Sequence, residues 1–118
     1  MKEVPILDIP IFHKLYALCT LLHSYQKSIP KAERYTLWQK CENSLLEIFE
    51  LLLETDHLKG EARLLVLYRI SHRVDLLKIL IRLAKDIRVL NPSRYLEIQT
   101  HLQEVGRMIG GWIKSVPR

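Results

Sequence analysis

The chain has 118 residues, enough for one ordinary domain, which excludes large multidomain enzymes. Hydrophobic residues make up 48% and charged residues 26% of the chain, so it can bury a core and is neither disordered nor fibrous in composition. Its formal net charge of +5 favours polyanionic partners.

Proline and glycine leave three long intervals free of helix breakers, and no Asn-Gly or Asp-Gly hairpin signal occurs. In the first interval, apolar residues from Ile11 to Ile29 repeat at the spacing of one helical stripe. Pro30 then fits a tight corner at or near the first residue of a second helix. The positions of proline and glycine and the apolar periodicity predict four helices, at about 11–29, 31–57, 60–90 and 92–115.

The third predicted helix carries two apolar stripes about a third of a turn apart. The first stripe consists of Leu65, Leu76, Ile79, Leu80, Leu83, Ile87 and Leu90. The second consists of Val66, Ile70, Val74, Leu77, Ile81 and Ala84. One stripe suffices to close a bundle, so we expect the second to bind another copy of the chain. The alternative is a helix buried on several sides within one subunit.

Asn91-Pro92 has the form of an N-cap followed by the first residue of a fourth helix, whose apolar residues repeat with 3-4 spacing up to Val116. Four long helices with short connections favour antiparallel neighbours. The sequence therefore predicts an all-α, antiparallel, up-down-up-down four-helix bundle that forms a single domain over residues 1–118.

The segment from Glu104 to Lys114 is unusual because each glycine inside a helix costs ~1 kcal/mol relative to alanine. Gly106 and Gly110 are four residues apart, a spacing that lets another helix backbone approach closely. Arg107 fits either an interhelix contact or a binding role. The candidate helix-packing motif consists of Gly106, Arg107, Gly110, Gly111 and Trp112.

Basic residues concentrate in the third helix, whereas the second helix is acidic. The candidate contacts to nucleic acid or a polymerase are Arg63, Arg69, Arg73, Lys78, Arg82, Lys85 and Arg88. Lys78, Arg82 and Lys85 share one stripe by their spacing. The alternative is a solvated face with local ion pairs, for which the spacing of Arg82 and Asp86 is suitable.

Other residue patterns that resemble sites are better explained by packing. Cys19 and Cys41 could meet across a hairpin, but a reduced thiol in the core is the favoured interpretation. Tyr35 and Trp38 are expected to pack in the core or an interface rather than stack on bases. No metal-ligand framework, catalytic elbow or phosphate-binding loop is present. We therefore predict no metal, no cofactor and no enzymatic activity.

The cellular location follows from what the sequence lacks. No charge-free apolar run approaches the ~18–20 residues that span a bilayer. The first ten residues contain charges and two prolines instead of a signal peptide's continuous apolar segment. We expect a cytoplasmic protein.

Three segments resemble the accessory variability determinant proteins of diversity-generating retroelements, which are related to four-helix-bundle proteins encoded in intervening sequences of bacterial large-subunit ribosomal RNA genes. The first is Ser28-Ile29-Pro30-Lys31 with Arg34 and Tyr35. The second is Leu77-Lys78-Ile79-Leu80-Ile81-Arg82-Leu83, and the most specific is Glu-Val-Gly-Arg followed by Gly-Gly-Trp-Ile within residues 104–114.

The resemblance implies a small non-catalytic bundle that assembles into a basic, barrel-like homopentamer. Such a protein would bind the retroelement's reverse transcriptase and template RNA and so support mutagenic cDNA synthesis. The cDNA product would be a further nucleic-acid partner. The alternative is an intervening-sequence type of bundle protein with a structural or interaction role and no reverse transcriptase partner.

Overall fold

The computed structural model describes residues 6–117, and five α-helices account for most of them. One-turn 3-10 helices precede the first α-helix at Ile6–Asp8 and follow it at Gln26–Ser28. Residues 1–5 and 118 of the predicted domain lie outside the described part. The α-helices are α1 (Pro10–Tyr25), α2 (Lys31–Arg34), α3 (Leu37–Thr55), α4 (Gly60–Asp86) and α5 (Pro92–Ser115).

The corner after Pro30 differs from the predicted continuous second helix. α2 ends after one turn at Arg34, and Thr36 then has φ −116° and ψ −96°, outside the helical region. The Thr36 hydroxyl donates to the Ala32 carbonyl at 3.1 Å, and the Arg34 guanidinium donates to two carbonyls before α2. Such side-chain hydrogen bonds compete with the helical ladder, so the chain bends before α3 begins.

The four long helices form an antiparallel bundle that measures 48 × 21 × 21 Å. α3 packs against α4, α4 against α5, and α1 closes the bundle between α5 and α3. Trp38 at the start of α3 is fully buried and donates its indole N–H to the Leu22 carbonyl, near the end of α1, at 3.3 Å. Tyr25 at the end of α1 donates to Glu97 near the start of α5 at 2.6 Å. The predicted all-α bundle is confirmed.

The start of α5 also follows the prediction. Asn91 accepts the backbone N–H of Arg94 on its side-chain oxygen at 2.8 Å, and Pro92 is the first helical residue. The cap satisfies an N–H that has no partner within the helix.

The two apolar stripes of α4 have the opposite roles to those expected. The second stripe is buried, with Val66 at 4% and Ile81 at 0% exposure, so it closes the subunit's own core. The first stripe lies largely on the surface, where Leu65 and Ile79 are 66% and 64% exposed. Periodicity gives the angle between two stripes but not the rotation of the helix about its axis. We call the solvent-facing side chains the outer stripe of α4: Leu65, Leu76, Ile79, Leu83 and Ile87.

α4 ends in a Schellman arrangement that places Arg88 in the left-handed backbone region, at φ 64°. The Arg88 amide donates to the Lys85 carbonyl at 3.0 Å, and the Val89 amide donates to the Ala84 carbonyl at 2.8 Å. Glycine is favoured at this position because it has no Cβ. The chain therefore holds an exposed cationic side chain on a strained backbone.

We expect Arg88→Gly to raise the free energy of unfolding by about 0.5–1 kcal/mol, because glycine adopts positive φ without steric strain. Urea unfolding followed by circular dichroism, at fixed protein concentration, measures the change. Arg82→Gly is the matched control: it removes an exposed arginine from inside α4 and should lower the free energy by ~1 kcal/mol. A less stable Arg88→Gly protein would contradict the strain argument.

Candidate nucleic-acid interface

The predicted basic contacts lie along two flanks of α4, on either side of its outer stripe. Lys78 and Lys85 face α5, and Arg82 shares their side by helical spacing. Arg69 and Arg73 face α3. We call Lys78, Arg82 and Lys85 the α5 flank, and Arg69 and Arg73 the α3 flank.

Lys78 reaches from α4 to α5 beside Gly106. A Cβ at Gly106 would lie 3.3 Å from Lys78 Nζ, so the absence of a side chain leaves room for the ammonium group. The nearest carboxylate oxygen, on Asp75, is 4.0 Å from the same nitrogen. Lys78 thus stands at a shallow groove whose lining also includes Gln103 and Arg107.

Lys85 and Arg82 complete the α5 flank. Lys85 Nζ lies 4.5 Å from the ring centroid of Tyr95, a cation–π contact that positions the ammonium against α5. Asp86 is 3.7 Å from Lys85 and 3.8 Å from Arg82. These separations exceed the ~2.7–3.2 Å of a hydrogen-bonded ion pair, and exposed pairs contribute only about 0–1 kcal/mol. The α5 flank is therefore positioned but not tightly neutralised.

The α3 flank has different electrostatic surroundings. Arg73 Nη1 is 2.9 Å from Glu47 Oε2, a close ion pair. The groove that these residues share with Arg69 is also lined by Glu50 and Glu54. Because the α3 carboxylates offset the positive potential, the alternative of a solvated face with local ion pairs fits Arg69 and Arg73 better than phosphate binding does.

Arg63 and Arg88 stand at opposite ends of α4. The guanidinium carbon of Arg63 is 6.0 Å from the ring centroid of Trp112, whereas Arg88 is exposed after the last turn. Neither forms an ion pair with another residue in the range 6–117. A helix of 27 residues is ~40 Å long, so the predicted basic residues extend along a surface rather than converge on one pocket.

Packing among the described residues does not explain Gly110 and Gly111. A Cβ at Gly110 or Gly111 would meet no neighbouring element of the described chain within 4 Å. Arg107 is exposed and Trp112 is half-buried against the core. The expected close approach of another helix stays a prediction, and it now concerns a helix from outside the subunit.

The two cysteines are free thiols, and Cys41 is fully buried. Burial, followed by the nearby Glu42 carboxylate, raises the pKa of Cys41 to about 12, and the same two causes raise the pKa of Cys19. Both thiols thus disfavour the thiolate that a nucleophile or metal ligand requires. Within residues 6–117, no group of three acidic, histidine or cysteine side chains is placed to hold a metal ion, and no helix is long and apolar enough to cross a membrane.

Tyr95 and Gln103 line the α5 flank, although the sequence patterns did not single them out as contacts. Helical periodicity shows which residues share a face of one helix, but it does not show which residues of two helices are in contact. Tyr95 could have been found by counting outward from the Asn91-Pro92 turn, since Lys85 precedes and Tyr95 follows that turn at similar distances. The same counting pairs Gln103 with Lys78, since Lys78 lies thirteen residues before Asn91 and Gln103 twelve residues after it.

The bundle can now be compared with known proteins. A family model described as bAvd-like matches residues 10–116. The match runs from the first residue of α1 to the residue after α5, and so includes the Pro30 corner, the basic α4 and the C-terminal glycines. No curated protein matches the chain. The chain therefore belongs to the bAvd-like family, as its resemblance to the accessory variability determinant proteins predicted.

Proposed function

We propose that the protein is a non-catalytic accessory protein of a diversity-generating retroelement, which binds the reverse transcriptase and its template RNA to support mutagenic cDNA synthesis. Membership of the bAvd-like family supports the accessory role. The observation that carries the RNA-binding part is the α5 flank, where Lys78, Arg82 and Lys85 lie on one side of α4 with no carboxylate at hydrogen-bonding distance.

The binding is electrostatic in this proposal. Lys78 and Lys85 are ~10 Å apart along the helix axis, and both side chains lie beside α5. Phosphate groups that replace solvent around these cations release counterions, which stabilises the complex at low salt. Contacts of this kind orient RNA without reading its bases, so specificity comes from RNA shape or from the polymerase.

The outer stripe of α4 supports a homo-oligomer, and family resemblance makes a homopentamer our specific proposal. Five leucine and isoleucine side chains lie along one side of a single helix, exposed or half-exposed. Leu76, Ile79, Leu83 and Ile87 follow one another at three- or four-residue spacing, which makes their side chains neighbours on the helix surface. Exposed apolar surface of this kind is typical of an interaction site. A ring would repeat the α5 flank around the particle and so strengthen its attraction for RNA.

Neutralising the α5 flank should weaken RNA binding. We expect the triple variant Lys78→Gln, Arg82→Gln, Lys85→Gln to lose roughly tenfold or more in affinity. The slope of the logarithm of the binding constant against the logarithm of the salt concentration should become shallower by up to about two, since each lost phosphate contact removes ~0.7 from it. Fluorescence anisotropy of labelled single-stranded RNA at several salt concentrations measures both quantities.

The matched control for that triple variant is Lys27→Gln, Lys31→Gln, Lys40→Gln, which removes the same charge from exposed positions near the Pro30 corner. The control should retain most of the RNA affinity. Equal losses in both variants would mean that net charge alone governs binding, and unchanged binding by the α5-flank variant would remove the assignment.

A charge on the outer stripe should dissociate the oligomer. We expect Ile79→Glu to shift the protein towards the 13.9 kDa of one subunit, because association would bury an unpaired carboxylate. Light scattering coupled to size-exclusion chromatography measures the mass. Leu96→Glu is the control: Leu96 is 65% exposed on α5, close to the 64% of Ile79, but lies off the outer stripe. A wild-type mass of one subunit would contradict the oligomer.

The native partners distinguish the retroelement role from the intervening-sequence alternative. We expect a tagged copy, recovered at moderate salt from its native cells, to bring down a reverse transcriptase, identified by mass spectrometry, and one defined RNA, identified by sequencing. Recovery of neither, from cells shown to express such a polymerase, would contradict the proposal and favour a bundle protein without that partner.

A further inference from the structure

A cleft of about 300 Å³ opens where the start of α4 meets the end of α5. Its volume is at the lower end of the ~300–1,000 Å³ typical of small-molecule sites. The lining residues are Lys59, Gly60, Arg63, Trp112, Ser115, Val116 and Pro117. Among the described residues that line it are two cations and an indole ring but no carboxylate, in contrast to the glutamate-lined groove between α3 and α4.

Arg63 has unused hydrogen-bonding capacity in this cleft. Its Nε is shielded from solvent and has no hydrogen-bond partner among residues 6–117, a condition that costs about 1–3 kcal/mol for a buried polar group. Its guanidinium is 6.0 Å from the Trp112 ring, at the outer limit of a cation–π contact. The contacts of Lys85 with Tyr95 and of Arg94 with Tyr25 are both 4.5 Å. The terminal guanidinium nitrogens of Arg63 form no ion pair within residues 6–117, so they can engage an acceptor such as a phosphate oxygen.

The other side chains complete a site for an anionic, planar ligand. Trp112 packs one part of its surface against the core and lines the cleft with another. Lys59 is exposed at the N-cap position of α4, and Gly60 follows it at φ 56°, where a larger side chain would be strained. Two cations beside an accessible indole match the phosphate and the base of a nucleotide.

We infer that this cleft binds one nucleotide unit of single-stranded RNA, with the phosphate between Lys59 and Arg63 and the base stacked on Trp112. The inference rests on the proposed RNA-binding function and gives the RNA a second contact beyond the α5 flank. Arg63 and Lys78 both face α5 and are ~22 Å apart along α4, so one extended strand reaches both sites. An acidic peptide would satisfy the cations but leave the indole without a stacking partner, so the nucleotide fits better.

Tryptophan fluorescence of the full chain tests the cleft directly. Trp38 is fully buried, so a ligand in the cleft should change the emission of Trp112 and leave that of Trp38 unaltered. We expect a short oligoadenylate RNA to quench this emission. Trp112→Leu should weaken its binding by roughly five- to hundredfold, measured by anisotropy, because stacking contributes about 1–3 kcal/mol per base. Arg63→Gln should also weaken the binding, because the variant loses a charged contact to the phosphate. Trp112→Phe, which keeps an aromatic ring, should retain part of the affinity.

Surface variants keep the test independent of any folding defect in Trp112→Leu. Lys59→Gln should weaken oligoadenylate binding, whereas Lys114→Gln, which removes an exposed lysine outside the cleft lining, should have a smaller effect. Adenosine monophosphate and polyglutamate serve as comparison probes. If adenosine monophosphate quenched the emission with the same affinity as the strand, the assignment to RNA would be overturned. Equal quenching by polyglutamate would overturn the nucleotide site.

Failure of the cleft is distinguishable from failure of the proposed function. If the strand binds by anisotropy but Trp112 emission and the affinities of the cleft variants stay unchanged, the cleft assignment is wrong and the α5 flank stands. If no RNA binds at moderate salt, the proposed RNA-binding function fails and the cleft assignment fails with it.

Discussion

The rotation of α4 about its own axis is the constraint on which the remaining surface depends. α4 packs against both α3 and α5, and its buried stripe from Val66 to Ala84 contributes to the core along most of the helix. Each residue advances ~100° around a helix, so burial of this stripe determines the direction of every other α4 side chain. Ile79 and Leu83 consequently face outward, and the basic residues fall on the two flanks. One packing preference thus produces both the apolar and the cationic surfaces.

The neighbouring helices then give similar cations different surroundings. α3 brings Glu47 within 2.9 Å of Arg73, so positive charge on that flank is locally offset. α5 places the Tyr95 ring beside Lys85 and leaves space at Gly106 for Lys78, and neither of these neutral residues neutralises an ammonium group. The distinction between an ion-paired face and a surface for polyanions therefore lies in the helices around α4 rather than in the α4 sequence.

Local signals in the sequence were sufficient for the features that depend on adjacent residues. The four long helices and the Asn91 cap follow from periodicity and from a side chain that bonds three residues ahead. Features that depend on contacts between helices were not accessible in the same way. The outward direction of Ile79 required the packing partners of α4, and the cleft joins Arg63 to Trp112, which are far apart in the chain. The bend at Thr36 is local, but a threonine hydroxyl can form several different hydrogen bonds, so the bond to the Ala32 carbonyl did not follow from the sequence.

Three positions favour a residue other than the one present, and no contact within residues 6–117 compensates for any of them. Arg88 occupies a left-handed position suited to glycine, yet its side chain forms no ion pair with the described residues. Gly110 and Gly111 weaken α5 by ~1 kcal/mol each relative to alanine, yet no neighbouring part of the described chain needs the space. Stability alone would favour the reverse choices.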